Sequence, residues 1–311
     1  MSLVSPWIPT DVQLNSILIA TDFSPASEKP LQHAIALARH YGAKLYLLHV
    51  VDSLGFTLAG PDATEAARIL AFRDAGRLER ELVLSGALEG LRHQVIIREG
   101  NIRDELEKVV RQEHIDLVVV GTHSRTGISR LVLGSVAERI FRCTSCLVVT
   151  VGPHSPTESP IKSTETLRPV LFATDFSEPS LRALPYVVSF ANQLRTGLAL
   201  LHALPPVPHP EGDRRHTASD AEQMKRELRR NTRQRLQELT AHYDLAVEPV
   251  LMAEFGEPAE EILQAAGLLH AGVIILGLKR DPQRDVFARL HWSTAYRVVC
   301  GAACPVLTIR D

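Results

Sequence analysis

The residues best suited to chemistry lie between Val118 and Val136. Val118-Val119-Val120-Gly121 is an apolar run that ends in glycine, followed by Thr122-His123-Ser124-Arg125-Thr126-Gly127 and then by Gly134-Ser135-Val136. A buried strand that feeds a loop of small residues and then a helix turns backbone amides toward a phosphate. No acidic residue occurs between Asp116 and Glu138, whereas His123, Arg125 and Arg130 do. A polyphosphate there meets amides, a helix dipole and cations without like-charge repulsion. The other reading of the same stretch is an ordinary strand-to-helix turn, for which small residues are equally suited.

A second polar cluster, Thr21-Asp22-Phe23-Ser24, follows the apolar run from Ile17 to Ala20. Ligands of open α/β sheets sit beyond the carboxyl ends of strands near a switch in strand order, and the loops after Ala20 and Val120 are such positions. Asp22 is also a natural turn residue. His49 and His202 fall in equivalent apolar runs and read as core or crevice-edge histidines. Cys143 and Cys146 have metal-like or redox-like spacing, and Cys300 and Cys304 sit in the matching region of the second copy, but Cys146 and Cys304 open apolar strands, where cysteine acts as a small hydrophobe. Arg214 to Arg235 is interleaved with acids and reads as a solvated helix face. No Ser-His-acid set and no Walker-type Gly-Lys-Ser/Thr stands at recognisable spacing.

These groups need a frame, and the chain supplies one. Ile17 to Ala20 is a strand; Ser24 or Ser27 caps a helix whose Leu31, Ala34, Ile35 and Ala38 share a face, with Gly42 as its stop. Lys44 to Val51 and Gln94 to Arg98 are strands, with a charged helix between them from Asp62 to about Ser85. Ile102 to Gln112 is a helix with Ile102, Leu106 and Val109 inward, and Asp116 to Val120 a fourth strand. Leu131 to Phe141 is a further helix and Leu147 to Val151 a fifth strand. Apolar strands alternating with helices are the pattern of a parallel sheet covered on both faces.

The pattern then recurs. After a Pro-, Ser- and Thr-rich linker, residues 153–168, Val170 to Ser177 matches Ile17 to Ser24 at six of eight positions, and Leu200-Leu-His answers Leu47-Leu-His at the same offset. Val273 to Gly277 answers Leu117 to Gly121, and Ser293 to Ile309 answers Ser135 to Val151. The fold class is therefore α/β, with two tandem domains, 1–152 and 169–311, each a five-stranded, doubly wound parallel sheet flanked by helices. The second glycine loop differs. Trp292 stands where Gly134 stood, Asp281 and Asp285 add negative charge, Pro282 removes an amide, and the loop is longer. The second domain is expected to have lost the phosphate loop; Lys279, Arg280 and Arg284 leave open another anion or a plain charged loop.

At 311 residues, 45% hydrophobic and with net charge −2, the chain has no basic excess that would drive nucleic-acid binding. It has neither a leader-like start nor an apolar run near the roughly 18 residues of a membrane span. Four cysteines suit a reducing compartment. The expectation is a soluble, cytoplasmic protein without nucleic-acid or membrane partners.

On the Ala-Thr-Asp-Phe-Ser strand ends, the Leu-Leu-His strands, the strand-Gly loops and the closing Cys146-Leu-Val-Val and Cys304-Pro-Val-Leu strands, the chain resembles the universal stress protein family in its tandem two-domain form. Nucleotide-binding members of that family carry Gly-x2-Gly-x9-Gly-Ser/Thr. Here the pattern reads Gly121, Ser124, Gly134-Ser135, with serine at the middle glycine. The resemblance implies ATP or a related adenine nucleotide, with or without magnesium. Ala20 and Val50 would border the adenine, Asp22 would lie near the ribose, and Gly134, Ser135 and Val136 would hold phosphates. Thr21, Val120, Gly121, His123, Ser124, Arg125 and Gly127 complete the candidate set. The implied role is regulatory, through ligand-dependent conformation or a protein partner. The alternatives are a nucleotide-free scaffold or a weak ATPase. The two domains are expected to pair about a pseudo-twofold axis through their fifth strands, and a homodimer is a further option.

Overall fold

The computed structural model describes residues 12–51, 61–122, 133, 137–138, 140, 144, 146–157, 168–206, 218–279 and 293–310. In the first half, β1 (Ser16–Ala20), α1 (Glu28–Tyr41), β2 (Lys44–Val51), α2 (Pro61–Leu84), β3 (His93–Glu99), α3 (Ile102–Gln112), β4 (Leu117–Gly121) and β5 (Leu147–Val151) follow in turn. The second half repeats them as β6 (Val170–Ala173), α4 (Glu178–Gln193), β7 (Leu198–Leu204), α5 (Ala218–Thr240), β8 (Val250–Phe255), α6 (Pro258–Leu268), β9 (Val273–Leu278), α7 (Thr294–Gly301) and β10 (Val306–Arg310). Most of the helix expected over 131–141 lies outside the described residues; Ala137, Glu138 and Ile140 are helical.

Each half is parallel within itself, and the two halves merge. The strand order is β3-β2-β1-β4-β5-β10-β9-β6-β7-β8, one sheet of ten strands. The join is antiparallel, with Val148 opposite Thr308, Val149 opposite Leu307 and Thr150 opposite Val306. Thr150 and Thr308 occupy equivalent places in the repeat, and each donates its hydroxyl across the seam, Thr150 to the Val306 carbonyl at 3.2 Å and Thr308 to that of Val148 at 3.4 Å. This reciprocity is the mark of a twofold contact. It agrees with the pairing expected from the repeated fifth strands.

Both faces of the sheet are covered, and both cores cross the seam. On one face Ile17, Ile19 and Val119 pack with Leu31, Ala34, Ile35 and Ala38 of α1, continuous with Phe172, Leu184 and Val187 of the second half. On the other, Leu18, Val118, Leu106, Val109 and Ile140 run on into Leu171, Ile262, Tyr296 and Val298. Strands buried on two faces need continuous apolar runs, which explains why the sequence lacks polar alternation in them. Ile102 is only half-buried; Val110 takes its place on the inward face of α3.

Two local expectations are corrected. Neither Ser24 nor Ser27 caps a helix with its side chain; Pro25–Ser27 form a single 3-10 turn before α1, and Asp22 does the capping work described below. Gly42 does end α1 in the left-handed conformation, φ 64°. The start of the linker is also not a free tether. Lys29 Nζ donates to the carbonyls of Pro153 and Ser155, His33 Nε2 donates to that of Pro156, and Ser155 is buried. Burial holds the His33 imidazole below its ordinary pKa.

The two strand-ending glycines have a packing reason of their own. A Cβ on Gly121 would lie 2.9 Å from Pro30 Cγ of α1, and one on Gly277 would lie 2.6 Å from both the Pro179 carbonyl oxygen and Ser180 Cα of α4. Gly277→Ala must push helix backbone and should cost about 1–3 kcal/mol, whereas Gly121→Ala meets a ring edge and should cost less. Urea unfolding of the two variants checks the order: Gly277→Ala should show the lower midpoint, and a midpoint equal to wild type would contradict the close approach.

Candidate functional site

Strand order reverses between β1 and β4, because β1 leads outward to β2 and β3 on one side while β4 leads to β5 on the other. The register places Ala20 beside both Leu48 and Val120. The carboxyl ends of β1, β2 and β4 therefore present Ala20, Val50, Val120 and Gly121 at one switch point, where an open α/β sheet forms its crevice. Thr21, buried, continues from there with its amide on the Leu48 carbonyl at 2.9 Å.

Asp22 organises the turn out of β1. Its Oδ1 accepts from the Ser24 amide at 3.0 Å and from the Ser27 hydroxyl at 2.8 Å. Thr21 Oγ1 accepts from the Phe23 amide at 3.0 Å. These bonds hold Phe23 at φ 57°, left-handed for a bulky residue, a conformation that costs energy unless its surroundings fix it. The Phe23 ring lies against His49, centroids 4.9 Å apart, and His49 Nδ1–H donates to the Thr21 carbonyl at 2.8 Å. That donation places a proton on Nδ1. Sequence reasoning missed this Phe-His couple. The signal was present, because Phe176 and His202 recur at the same separation.

The second half builds the same turn. Asp175 Oδ1 accepts from the amide and hydroxyl of Ser177 at 2.9 and 2.6 Å, Thr174 Oγ1 accepts from the Phe176 amide, and His202 donates to the Thr174 carbonyl at 2.7 Å. Phe176 is again left-handed, φ 60°. Two differences stand out at this matched position. Ser177 spends its hydroxyl on Asp175, whereas the Ser24 hydroxyl is buried without a partner among the described residues. Arg235 of α5 also lies over the Phe176 ring at 4.0 Å. A cation thus closes over the aromatic face in the second half.

His123, Ser124, Arg125, Gly127, Gly134, Ser135 and Val136 lie outside the described residues, as do Asp281, Pro282, Asp285 and Trp292 of the second loop. Leu133, which precedes Gly134, is described and buried. Its amide donates to the Tyr296 hydroxyl at 3.1 Å, a bond from the first half to α7 of the second. Burial pushes the Tyr296 phenol and the Cys300 thiol up from their usual values, and the two side chains are hydrogen-bonded to each other.

The cysteines behave as hydrophobes. Burial pushes the thiols of Cys146 and Cys304 up to about 12, so neither is a thiolate near neutral pH. Cys143 lies outside the described residues, among which no cluster of three or more His, Cys, Asp or Glu could hold a metal ion. No described helix is long and apolar enough to cross a membrane.

Asp22 can be divided into its two duties by substitution. Asp22→Asn keeps an acceptor for Ser24 and Ser27 and should leave the unfolding midpoint within experimental scatter, while Asp22→Ala removes it and should cost about 1–2 kcal/mol. Equal midpoints for the two variants would contradict the turn geometry.

The family model described as the universal stress protein family matches twice, over residues 14–152 and 166–310. A universal stress protein of Methanocaldococcus jannaschii, MJ0531, is 31% identical over 136 residues, 43% of this chain and 80% of the relative. YxiE of Bacillus subtilis, a universal stress protein, is 28% identical over 145 residues, 44% of this chain and 98% of the relative. The crystal structure of a universal stress protein from Archaeoglobus fulgidus superposes with a TM-score of 0.71 at 19% identity, covering 97% of this chain and 98% of the other.

Proposed function

Since the chain belongs to the universal stress protein family, we propose that its first half binds an adenine nucleotide of the ATP type and its second half does not, the ligand acting as a regulatory signal. The observation that carries this reading is the convergence of Ala20, Val50, Val120 and Gly121 at the β1/β4 switch point. From there the chain continues into His123, Ser124, Arg125 and, after Leu133, into Gly134-Ser135-Val136, a stretch free of acids. Adenine borders the strand ends at Ala20 and Val50, the ribose faces Asp22, and phosphates lie against the loop amides at the start of the following helix. Ser124 in place of glycine costs at most about 1–2 kcal/mol if that residue is left-handed. A magnesium ion, where one is bound, comes with the phosphates.

The second half supports the other side of the proposal. Trp292 replaces the glycine that phosphates approach, and Asp281 and Asp285 repel them. Arg235 is drawn over Phe176. The role assigned is binding rather than turnover.

A second reading has its own observation. Asp22 is engaged in the turn and Gly121 packs closely against Pro30, duties that a nucleotide-free scaffold would need equally. The two are separated by mass spectrometry of small molecules released from the purified protein, together with thermal shifts in ATP and magnesium. An adenine nucleotide should be recovered, and ATP at about 100 times its Kd should stabilise by about 2.7 kcal/mol. Gly134→Trp, which imports the residue of the second loop, should abolish both effects and leave the apo unfolding midpoint unchanged. An empty protein with no thermal response to ATP favours the scaffold.

The seam makes a further demand. Tyr296→Phe removes the acceptor for the Leu133 amide, one residue before Gly134. Nucleotide affinity should fall about threefold to tenfold, the worth of one hydrogen bond. Unchanged affinity in a direct titration would show that α7 does not steady the loop.

A further inference from the structure

We propose that α5 and the outer edge of β8 form a second anion site, a groove that takes a linear inorganic polyphosphate chain. The groove has a volume of about 620 Å³, and Arg226, Arg229, Arg230 and Arg233 line it with Leu251 as floor. No acidic residue is among its described lining side chains. The site is far along the sheet from the β1/β4 crevice, on the terminal strand of the second half, and does not depend on the nucleotide reading.

The charge balance of this helix differs from that of its counterpart in the first half. α5 carries six basic residues against four acids, whereas α2, in the corresponding place of the first half, carries four basic residues against five acids. The arginines of α2 are also paired: Arg73 and Arg77 reach Asp74, and Arg77 also reaches Glu81. On α5 three of the four acids have other partners, although Arg226 and Arg229, after Lys225, also help to lower the Glu222 pKa. Glu222 binds Lys225 at 2.9 Å, Glu227 accepts from Gln223 and Glu238 from Gln234. Arg226, Arg230 and Arg233 are exposed and have no ion pair among the described residues.

Their spacing suits a chain of charges. Steps of four and three residues along a helix advance by about 6 and 4.5 Å on one face, so the three guanidinium forks form a row. Each fork can donate two bonds to one phosphate.

Arg229 has a different task. It pairs with Glu254 at 3.4 Å, donates from Nε to the Ala253 carbonyl at 3.3 Å and lies over the Phe255 ring at 5.1 Å. It thereby covers part of the open edge of the sheet, which disfavours a peptide adding itself as an eleventh strand. The described lining holds no aromatic side chain on which a base could stack, and Leu251 is its one apolar residue. Nucleic-acid strands and protein segments draw affinity from such contacts. A bare phosphate chain needs only charge and donors.

The test is titration of the full chain with linear inorganic polyphosphate at several salt concentrations, with polyglutamate and a mixed-sequence oligoribonucleotide alongside. Binding that weakens with a log-log salt slope of about −2 to −3, as three phosphate contacts require, is expected. The double variant Arg230→Ala/Arg233→Ala, at exposed positions, should lower affinity at least tenfold and flatten the slope by about 2. Arg73→Ala/Arg77→Ala on α2 should change neither. The proposal is overturned if polyphosphate does not bind at low salt, if the α5 variant binds as wild type does, or if polyglutamate or the oligoribonucleotide binds more tightly.

Discussion

The antiparallel pairing of β5 with β10 is the constraint on which the molecule depends. It converts two five-stranded parallel sheets into one of ten strands, so neither half keeps a free edge at its fifth strand. Because the twofold places Thr150 and Thr308 reciprocally, each buried hydroxyl finds a carbonyl of the other half. Helices follow from the seam. α1 meets α4 on one face, where Tyr41 donates to Gln193 at 2.8 Å and stands edge-on to Phe190; on the other face Tyr296 of α7 meets the Leu133 amide. With apolar cores continuous across both faces, the halves are cooperative partners.

A symmetric frame then carries unequal sites. The aspartate turn, the left-handed phenylalanine and the histidine beneath it recur in both halves. Such shared strain belongs to the fold, where it shapes the exit from the first strand of each half. What separates the halves is placed around that frame. Ser24 keeps its hydroxyl unengaged while Ser177 does not, Arg235 covers Phe176, and the loops after Gly121 and Gly277 diverge in sequence. The two halves thus differ around a shared frame while their fifth strands stay joined at the seam.

Much of this was legible in the residues. The Leu31, Ala34, Ile35 and Ala38 face, the Gly42 stop and the bounds of β2, α3 and β5 follow from periodicity and capping, which are local. The repeat made the fifth-strand pairing readable, since equivalent strands with no covering partner satisfy each other. Interactions set by approach between elements were not readable. Ser24 and Ser27 look like caps, yet Asp22 bridges two of their groups because the chain turns back on itself after β1. Gly121 looks like a phosphate-loop glycine, yet it also packs closely against Pro30. Likewise the arginines of α5 look like an ordinary wet face; only their place beside an edge strand, with three of the four acids of α5 holding other partners, sets them apart.

The central claim is that one frame, used twice, holds one nucleotide. Equilibrium titration of the nucleotide-stripped chain with ATP measures this directly through its stoichiometry. One adenine nucleotide bound per chain is the predicted result; two per chain would mean that the second crevice is intact, and none would mean that the first is not a nucleotide site.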